Sequence, residues 1–225
     1  MGVGSATNGL ANIVSDFSAT PIIDLEDTTK GRILRTAYEI LMRDYFSGLT
    51  MDGLAFALGM SKKTIYEHFP SKEAIGAALI EAIGATIRRR VGGIIAASDM
   101  TFPQKLAGTL SIVGSYFAQM SPGFLQDLQR FAPKLYDEID KLKERNIPML
   151  FGRVLSFGVQ EGMVRDDIDI AFVTEFWVQT IKGVHEPASL ARANLTPKAA
   201  FDKALDLLFR GILTEKGRAR TVVLK

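Results

Sequence analysis

The 225-residue chain contains no cysteine. That absence removes disulfides, zinc fingers, iron–sulfur ligation and thiol nucleophiles together, and with them any cysteine-based redox sensing. Histidine is nearly absent too. His68 and His185 are the two present, and neither has a second histidine at helical spacing with a carboxylate, so no metal site is expected. No uninterrupted apolar run of about 18 residues occurs, although 47% of the residues are hydrophobic. No membrane span is expected. Cations are missing from the start, Lys30 being the first, so the basic opening of a signal or transit peptide is lacking and a cytoplasmic location is expected. Residues 1 to 27 are expected to form a flexible arm. There is no glycine-rich phosphate loop after a strand and no nucleophile elbow, so no catalytic residue is assigned and no cofactor is implied.

What is present is helical periodicity and a local charge surplus. Residues 30 to 90 carry ten bases against six acids, whereas residues 1 to 29 carry four acids and no base. A modest surplus of this kind suits phosphate contact, although ordinary helical domains show as much. From residue 28 onward apolar residues recur at steps of three and four, and alternating β-branched runs bounded by turns are missing, so the fold class is all-α.

The first helix is predicted to start after a cap within Asp27 to Thr29. It carries Ile33, Leu34, Ala37, Ile40, Leu41 and Tyr45 on one face and ends at Gly48. A long helix from Lys72 carries Ile75, Leu79, Ile83, Ile87, Val91 and Ile95 at steps of four, with Gly92-Gly93 as a point where it should end or bend. Thr101 with Gln104 forms a capping box, and Ser121-Pro122 opens a short helix through Phe131. The helix from Lys134 to Glu161 should kink or split at Pro148, and Gly162 closes it. Asp169 caps a helix to about Val184, and Thr196-Pro197 opens the last one, carrying Phe201, Leu205, Leu208 and Ile212.

The informative motif lies between residues 50 and 72. Ala55 is followed by Gly59 four residues on and by Ile65 six further on, which fits two helices crossing through a tight turn. Ala55 permits close approach, Gly59 permits positive φ, and Ile65 anchors the second helix from beneath. The first helix is expected at about 51 to 58, the turn at 59 to 61 and the recognition helix at about 62 to 68. Thr50 caps the first. Ser61 caps the second and leaves Lys62, Lys63 and Thr64 facing outward at the end that a recognition helix inserts into the major groove.

These residues, Ser61-Lys62-Lys63-Thr64-Ile65-Tyr66-Glu67-His68-Phe69 and then Ser71-Lys72-Glu73, resemble the tetracycline-repressor (TetR) family of transcriptional regulators. With Ala37, Gly48-Leu49-Thr50, Ala55 and Gly59, the resemblance covers about residues 30 to 80. It implies a helix-turn-helix DNA-binding domain at 28–74, an effector-binding and dimerisation domain at 75–215 and a tail at 216–225. It further implies that Thr50, Tyr66 and Lys72 hold phosphates, while Lys62, Lys63 and His68 approach base edges or nearby backbone. Lys63 departs from the common pattern, where a small residue or proline is usual. Glu67 can accept from a cytosine amino group or face solvent.

The helices near 169–184 and 197–213 carry more apolar surface than one subunit obviously uses, so a homodimer is expected there, paired with double-stranded DNA bearing an inverted repeat. The family implies a cavity for a small-molecule effector, and Tyr116, Phe117, Phe124, Leu128, Met149, Phe172, Phe176 and Trp177 are the candidate lining residues. The expected function is that of a repressor released by a largely apolar effector. A helical enzyme without DNA binding and a protein-binding adaptor are the alternatives.

Overall fold

The computed structural model describes residues 23 to 221, so most of the expected N-terminal arm and residues 222 to 225 lie outside the described residues. Among the described residues there are eleven helices: α1 (Thr29–Gly48), α2 (Met51–Leu58), α3 (Lys62–His68), α4 (Lys72–Ala96), α5 (Phe102–Gln119), α6 (Pro122–Phe131), α7 (Pro133–Gln160), α8 (Ile170–Val184), α9 (Pro187–Ala193), α10 (Pro197–Ile212) and α11 (Glu215–Arg220). The only extended pairing among them is an isolated antiparallel bridge between Val164 and Leu213. No described helix is long and apolar enough to cross a membrane.

Side-chain caps set most of the starts. Thr28 accepts from the Gly31 amide at 3.1 Å, Thr50 from Gly53 at 3.0 Å, Ser61 from Thr64 at 3.1 Å and Ser121 from Phe124 at 3.0 Å. Asp169 accepts from both Ala171 and Phe172, and Thr196 from Ala199. Each satisfies an amide that the helix itself leaves without a partner and contributes about 1 kcal/mol. At Thr101 the reciprocal half of the box is formed, the Gln104 Oε1 accepting from the Thr101 amide at 2.8 Å.

Four expectations change. The helix α4 passes through Gly92-Gly93 without a break to Ala96, because buried Val91 and Ile94 pin that turn from both sides and the Lys105 ammonium binds its last carbonyls. Pro148 does not split α7, which runs unbroken from Pro133 to Gln160. Buried Asn146, Leu150, Phe151 and Val154 hold the helix on both sides of the missing amide. The stretch expected to be a tail contains α11, capped by Thr214 and held where the Lys216 Nζ donates to the Glu161 carbonyl at 2.7 Å. Finally, residues 23 to 27 are not a free arm. Ile23 is buried, the Asp24 amide donates to Thr86 Oγ1 at 3.2 Å, and the Asp24 carboxylate pairs with Arg89 and Arg90. Burial would raise that carboxyl, but the hydrogen bonds from the two guanidinium groups hold it below the usual aspartate value.

The helices α1 to α3 and the first turns of α4 form a small head. Its interior, with Ile33, Leu34, Ala37, Leu49, Leu54, Ile65 and Leu79, is continuous with Leu125 and Leu128 of α6 and Leu135 of α7. A second interior is built from α5, α7, α8 and α10 around Leu106, Leu155, Ile181 and Phe209. The helix α4 runs from one to the other. It lies close to α7 because two of its glycines face that helix: a Cβ on Gly76 would stand 2.4 Å from Leu135 Cδ1, and one on Gly84 would stand 2.3 Å from Leu142 Cδ1.

Candidate nucleic-acid interface and interior cavities

The α2–turn–α3 unit follows the spacing read from the sequence. Gly59 ends α2 at φ 61° and ψ 30°, a left-handed conformation that costs a residue with a side chain about 1 kcal/mol or more. Its amide returns to the carbonyl of Phe56 at 3.2 Å, and that of Met60 returns to Ala55 at 3.1 Å. The chain therefore reverses within three residues, and Ser61 starts α3 at once. On the inner side of α3, Ile65 is fully buried and Phe69 nearly so. Burying such a side chain contributes roughly 2 to 3 kcal/mol, enough to hold a seven-residue helix that could not stand alone.

The outer side carries the polar candidates. Ser61, Lys62, Lys63, Glu67 and His68 are exposed, Thr64 is half-buried, and Tyr66 is 50% exposed. Thr64 Oγ1 lies 2.9 Å from Ser61 Oγ, which fixes both hydroxyls at the start of the helix. Lys62 pairs with Asp52 of α2, whereas Lys63 makes no ion pair with a described residue. Thr50, exposed, accepts the Gly53 amide. Lys72 differs from its neighbours. It is half-buried, donates to the Phe46 carbonyl at 3.1 Å and lies 4.4 Å from the centre of the Phe46 ring, so it caps the end of α1.

That end is unusual. Tyr45 breaks the helical path of α1 at φ 65° and ψ −177°, a conformation that costs a bulky residue on the order of 1–3 kcal/mol. Its side chain reaches α6, where Ser121 Oγ donates to the phenol oxygen at 3.2 Å and the Phe124 ring sits edge-on at 6.4 Å. Two more bonds tie α1 to the body. The Tyr38 hydroxyl donates to Gln119 Oε1 at 2.6 Å, and the Ser47 amide donates to Asp127 Oδ2 at 2.9 Å.

Behind these bonds lie two interior cavities. One, of about 130 Å³, sits between α4, α5, α7 and α8, with Tyr116, Phe117 and Trp177 among its lining. The other, of about 90 Å³, lies under α1 and includes Tyr116, Phe124 and Leu128. Five of the eight expected lining residues are thus on cavities, divided between two. The other three are not on these two cavities, and Phe172 and Phe176 instead line a separate outer groove with α10. Met149 faces outward at 42% exposure, and Phe172 and Phe176 stand on the outer face of α8 at 68% and 51%. Helical geometry explains it: Val173, Trp177 and Ile181, four apart, turn inward, which turns 172 and 176 away.

Sequence reasoning did not find three polar residues on the first cavity: Thr109, Lys143 and Asn146. Thr109 is buried and its hydroxyl has no partner among the described residues. Asn146 accepts from Arg88 at 3.2 Å, and Lys143 pairs with Asp140 at 2.8 Å. Thr109 carried a signal, since it falls one turn from Leu106 and Val113 on the apolar side of α5, where a polar residue needs a reason. Burial pushes the Tyr116 phenol up to about 12, so it stays protonated. His185 stacks on Phe117 at 4.2 Å, and its Nε2 donates to the Pro197 carbonyl at 2.9 Å. Burial brings its pKa down to about 4. It is a neutral core residue, and among the described residues no cluster of three or more His, Asp or Glu could hold a metal.

The sequence profile of the bacterial regulatory proteins of the tetR family matches residues 33–79, from within α1 to within α4. The HTH-type transcriptional regulator YvaF of Bacillus subtilis is 23% identical over 185 residues, which cover 82% of this chain and 96% of that protein. The fold is similar to that of the ketosteroid transcriptional regulator KstR2 of Mycobacterium tuberculosis, with a TM-score of 0.54 at 22% identity over 87% of this chain and all of the other. It is similar as well to FadR of Bacillus subtilis solved with stearoyl-CoA, with a TM-score of 0.58 at 21% identity over 80% of this chain and 98% of the other. With a matching head, a matching body and a helix-turn-helix of the required geometry, the chain belongs to the TetR family of transcriptional regulators.

Proposed function

We propose that this regulator is a homodimeric repressor that reads an inverted-repeat operator through α3 and releases it when a largely apolar small molecule enters the body. The observation that carries the reading is the two-sided character of α3, with Ile65 beneath and Lys62, Lys63, Tyr66 and His68 outward. In this reading residues 28–74 are the DNA-binding unit and 75–215 the sensing and pairing unit. Lys62, Lys63 and His68 approach base edges, with Ser61 and Thr64 fixing the first turn, and Thr50 and Tyr66 hold phosphates. A phosphate at Lys72 has to share the ammonium with the Phe46 carbonyl.

The outer faces of α8 and α10 support the pairing. Phe172, Phe176 and Leu207, the last 75% exposed, form part of one apolar groove, and a two-fold axis there joins like patches of two subunits. Such an arrangement places the two α3 helices roughly 34–36 Å apart, one turn of DNA. The interior cavities support the effector, as does the stearoyl-CoA held by the structurally similar FadR.

Selection of bound DNA from a random pool, followed by salt-dependent gel shifts, tests the reading. An inverted repeat should emerge. Lys63→Ala should change the preferred bases, and Tyr66→Phe should weaken all sequences alike by about tenfold, one charge-assisted hydrogen bond. Unchanged affinity in both variants, or no sequence preference, would count against it.

A further inference from the structure

The two interior cavities share a wall. Ile83 of α4, Tyr116 of α5, Ile139 and Leu142 of α7, and Met120 between α5 and α6 line both of them. Separately, at about 130 and 90 Å³, each lies below the roughly 300 Å³ at which ligand sites for drug-sized molecules begin. Joined, they still come to only about 220 Å³, so a ligand spanning both must also push the wall aside. The wall is built to give way. Met120 is unbranched and adapts its shape at little cost, and Leu142 rests with its tip on Gly84 of α4.

The chemistry along the two cavities is unequal. The second is lined almost wholly by hydrocarbon and aromatic groups, among them Leu41, Met42, Phe46 and Leu79. The first carries the buried Thr109 hydroxyl, which has no partner among the described residues, beside Asn146 and Lys143, the ammonium of which is already paired with Asp140, and no carboxylate lines it. A buried hydroxyl left without a partner costs roughly 1–3 kcal/mol, which a ligand atom can recover. A cation would find no counter-charge there.

We infer that the effector is an elongated neutral amphiphile, whose hydroxyl or carbonyl end bonds Thr109 and whose apolar tail passes between Met120 and Leu142 into the cavity under α1. This rests on the effector-responsive reading and deepens it by naming the ligand class and its direction. The tail then touches Phe46 and Met42 of the head itself. Contact is direct, so the ligand displaces α1 without a relay through the body.

Trp177, the sole tryptophan, lines the first cavity, and its fluorescence reports entry of a probe into the intact protein. Straight-chain 1-alkanols from hexanol to tetradecanol are the probes. Affinity should rise about fourfold for each added methylene, and should keep rising after the first cavity is filled. Met42→Phe and Ile80→Phe, both at half-buried positions of the second cavity alone, should remove the gain of the longer alkanols and leave hexanol unchanged. Thr109→Val should weaken every alkanol by about fivefold. A plateau at short chains in the unsubstituted protein, or no quenching by any alkanol, overturns the inference while leaving operator binding to be judged on its own. Rising affinity with no change in operator binding upholds the joined cavity and overturns the effector-responsive reading instead.

Discussion

Lys105→Met is expected to destabilise the protein through the end of α4. Lys105 is 3% exposed, and its ammonium donates to the carbonyls of Ile94 at 3.0 Å, Ile95 at 2.7 Å and Ala97 at 2.5 Å. Three donors meet three acceptors at a helix C-terminus, where the dipole favours a cation, and the Phe157 ring lies 5.0 Å from the nitrogen. Methionine keeps the volume of the stem and removes the charge. The gain from three charge-assisted bonds, roughly 1.5–3 kcal/mol each, is offset by the cost of burying the ammonium. What the variant loses is therefore close to the cost of orphaning one buried carbonyl, at Ile94, and two that water can partly reach. That comes to about 3 kcal/mol, or roughly 6–12 °C in Tm for a chain of this length. Urea unfolding at fixed protein concentration, followed by Trp177 fluorescence, measures it, the concentration being held because pairing adds to apparent stability. A loss below about 1 kcal/mol would show that the three carbonyls find other partners and that Lys105 does not hold this end of α4.

Two other outcomes follow from the core and the outer surface. His185 stays neutral when folded but ionises near its ordinary value when unfolded, so the unfolded chain binds the extra proton between pH 6.5 and about 4. Stability should fall as pH drops through that window, by on the order of 3 kcal/mol, and His185→Gln should flatten that part of a urea-midpoint profile; an unchanged slope would assign the acid sensitivity to carboxylates. Phe176→Glu combined with Leu207→Glu places charge in the apolar outer groove and should convert a dimer to monomers in sedimentation while leaving the helical circular dichroism unchanged. Persistence of the dimer would move the pairing surface elsewhere.

The parts of this fold that were legible in the sequence are those with local causes. Thr50, Ser61, Asp169 and Thr196 begin helices because their side-chain oxygens reach amides two or three residues on, and Gly59 turns left-handed within the same few residues. Those interactions need no knowledge of the rest of the chain. What was hidden depends on partners far along it. Nothing near Gly92 announces that Lys105 will cap α4, and nothing near Pro148 announces that α4 and α8 will pack along α7 and that it will run on as one helix. In α8, apolar residues cover so much of the circumference that periodicity could not say whether Phe172 or Val173 faces inward. The helices α9 and α11, seven and six residues long, are too short for a period to register. Thr109 and Asn146 were passed over because polar residues amid apolar ones read as interruptions of a core, although here they face a cavity.

The interior shared between the head and α6–α7 constrains anyone who would build chimaeric regulators from this chain. A reading head cut out at Lys72 and grafted onto a foreign body would leave behind Leu125, Leu128 and Leu135, which complete its interior. The transplanted part would arrive with an open side, and a new body would have to supply not merely a linker but a matching surface. Exchange of DNA specificity is better made by altering the outward residues of α3 in place, where Ile65 and Phe69 already anchor the helix and the seam with the body is left uncut.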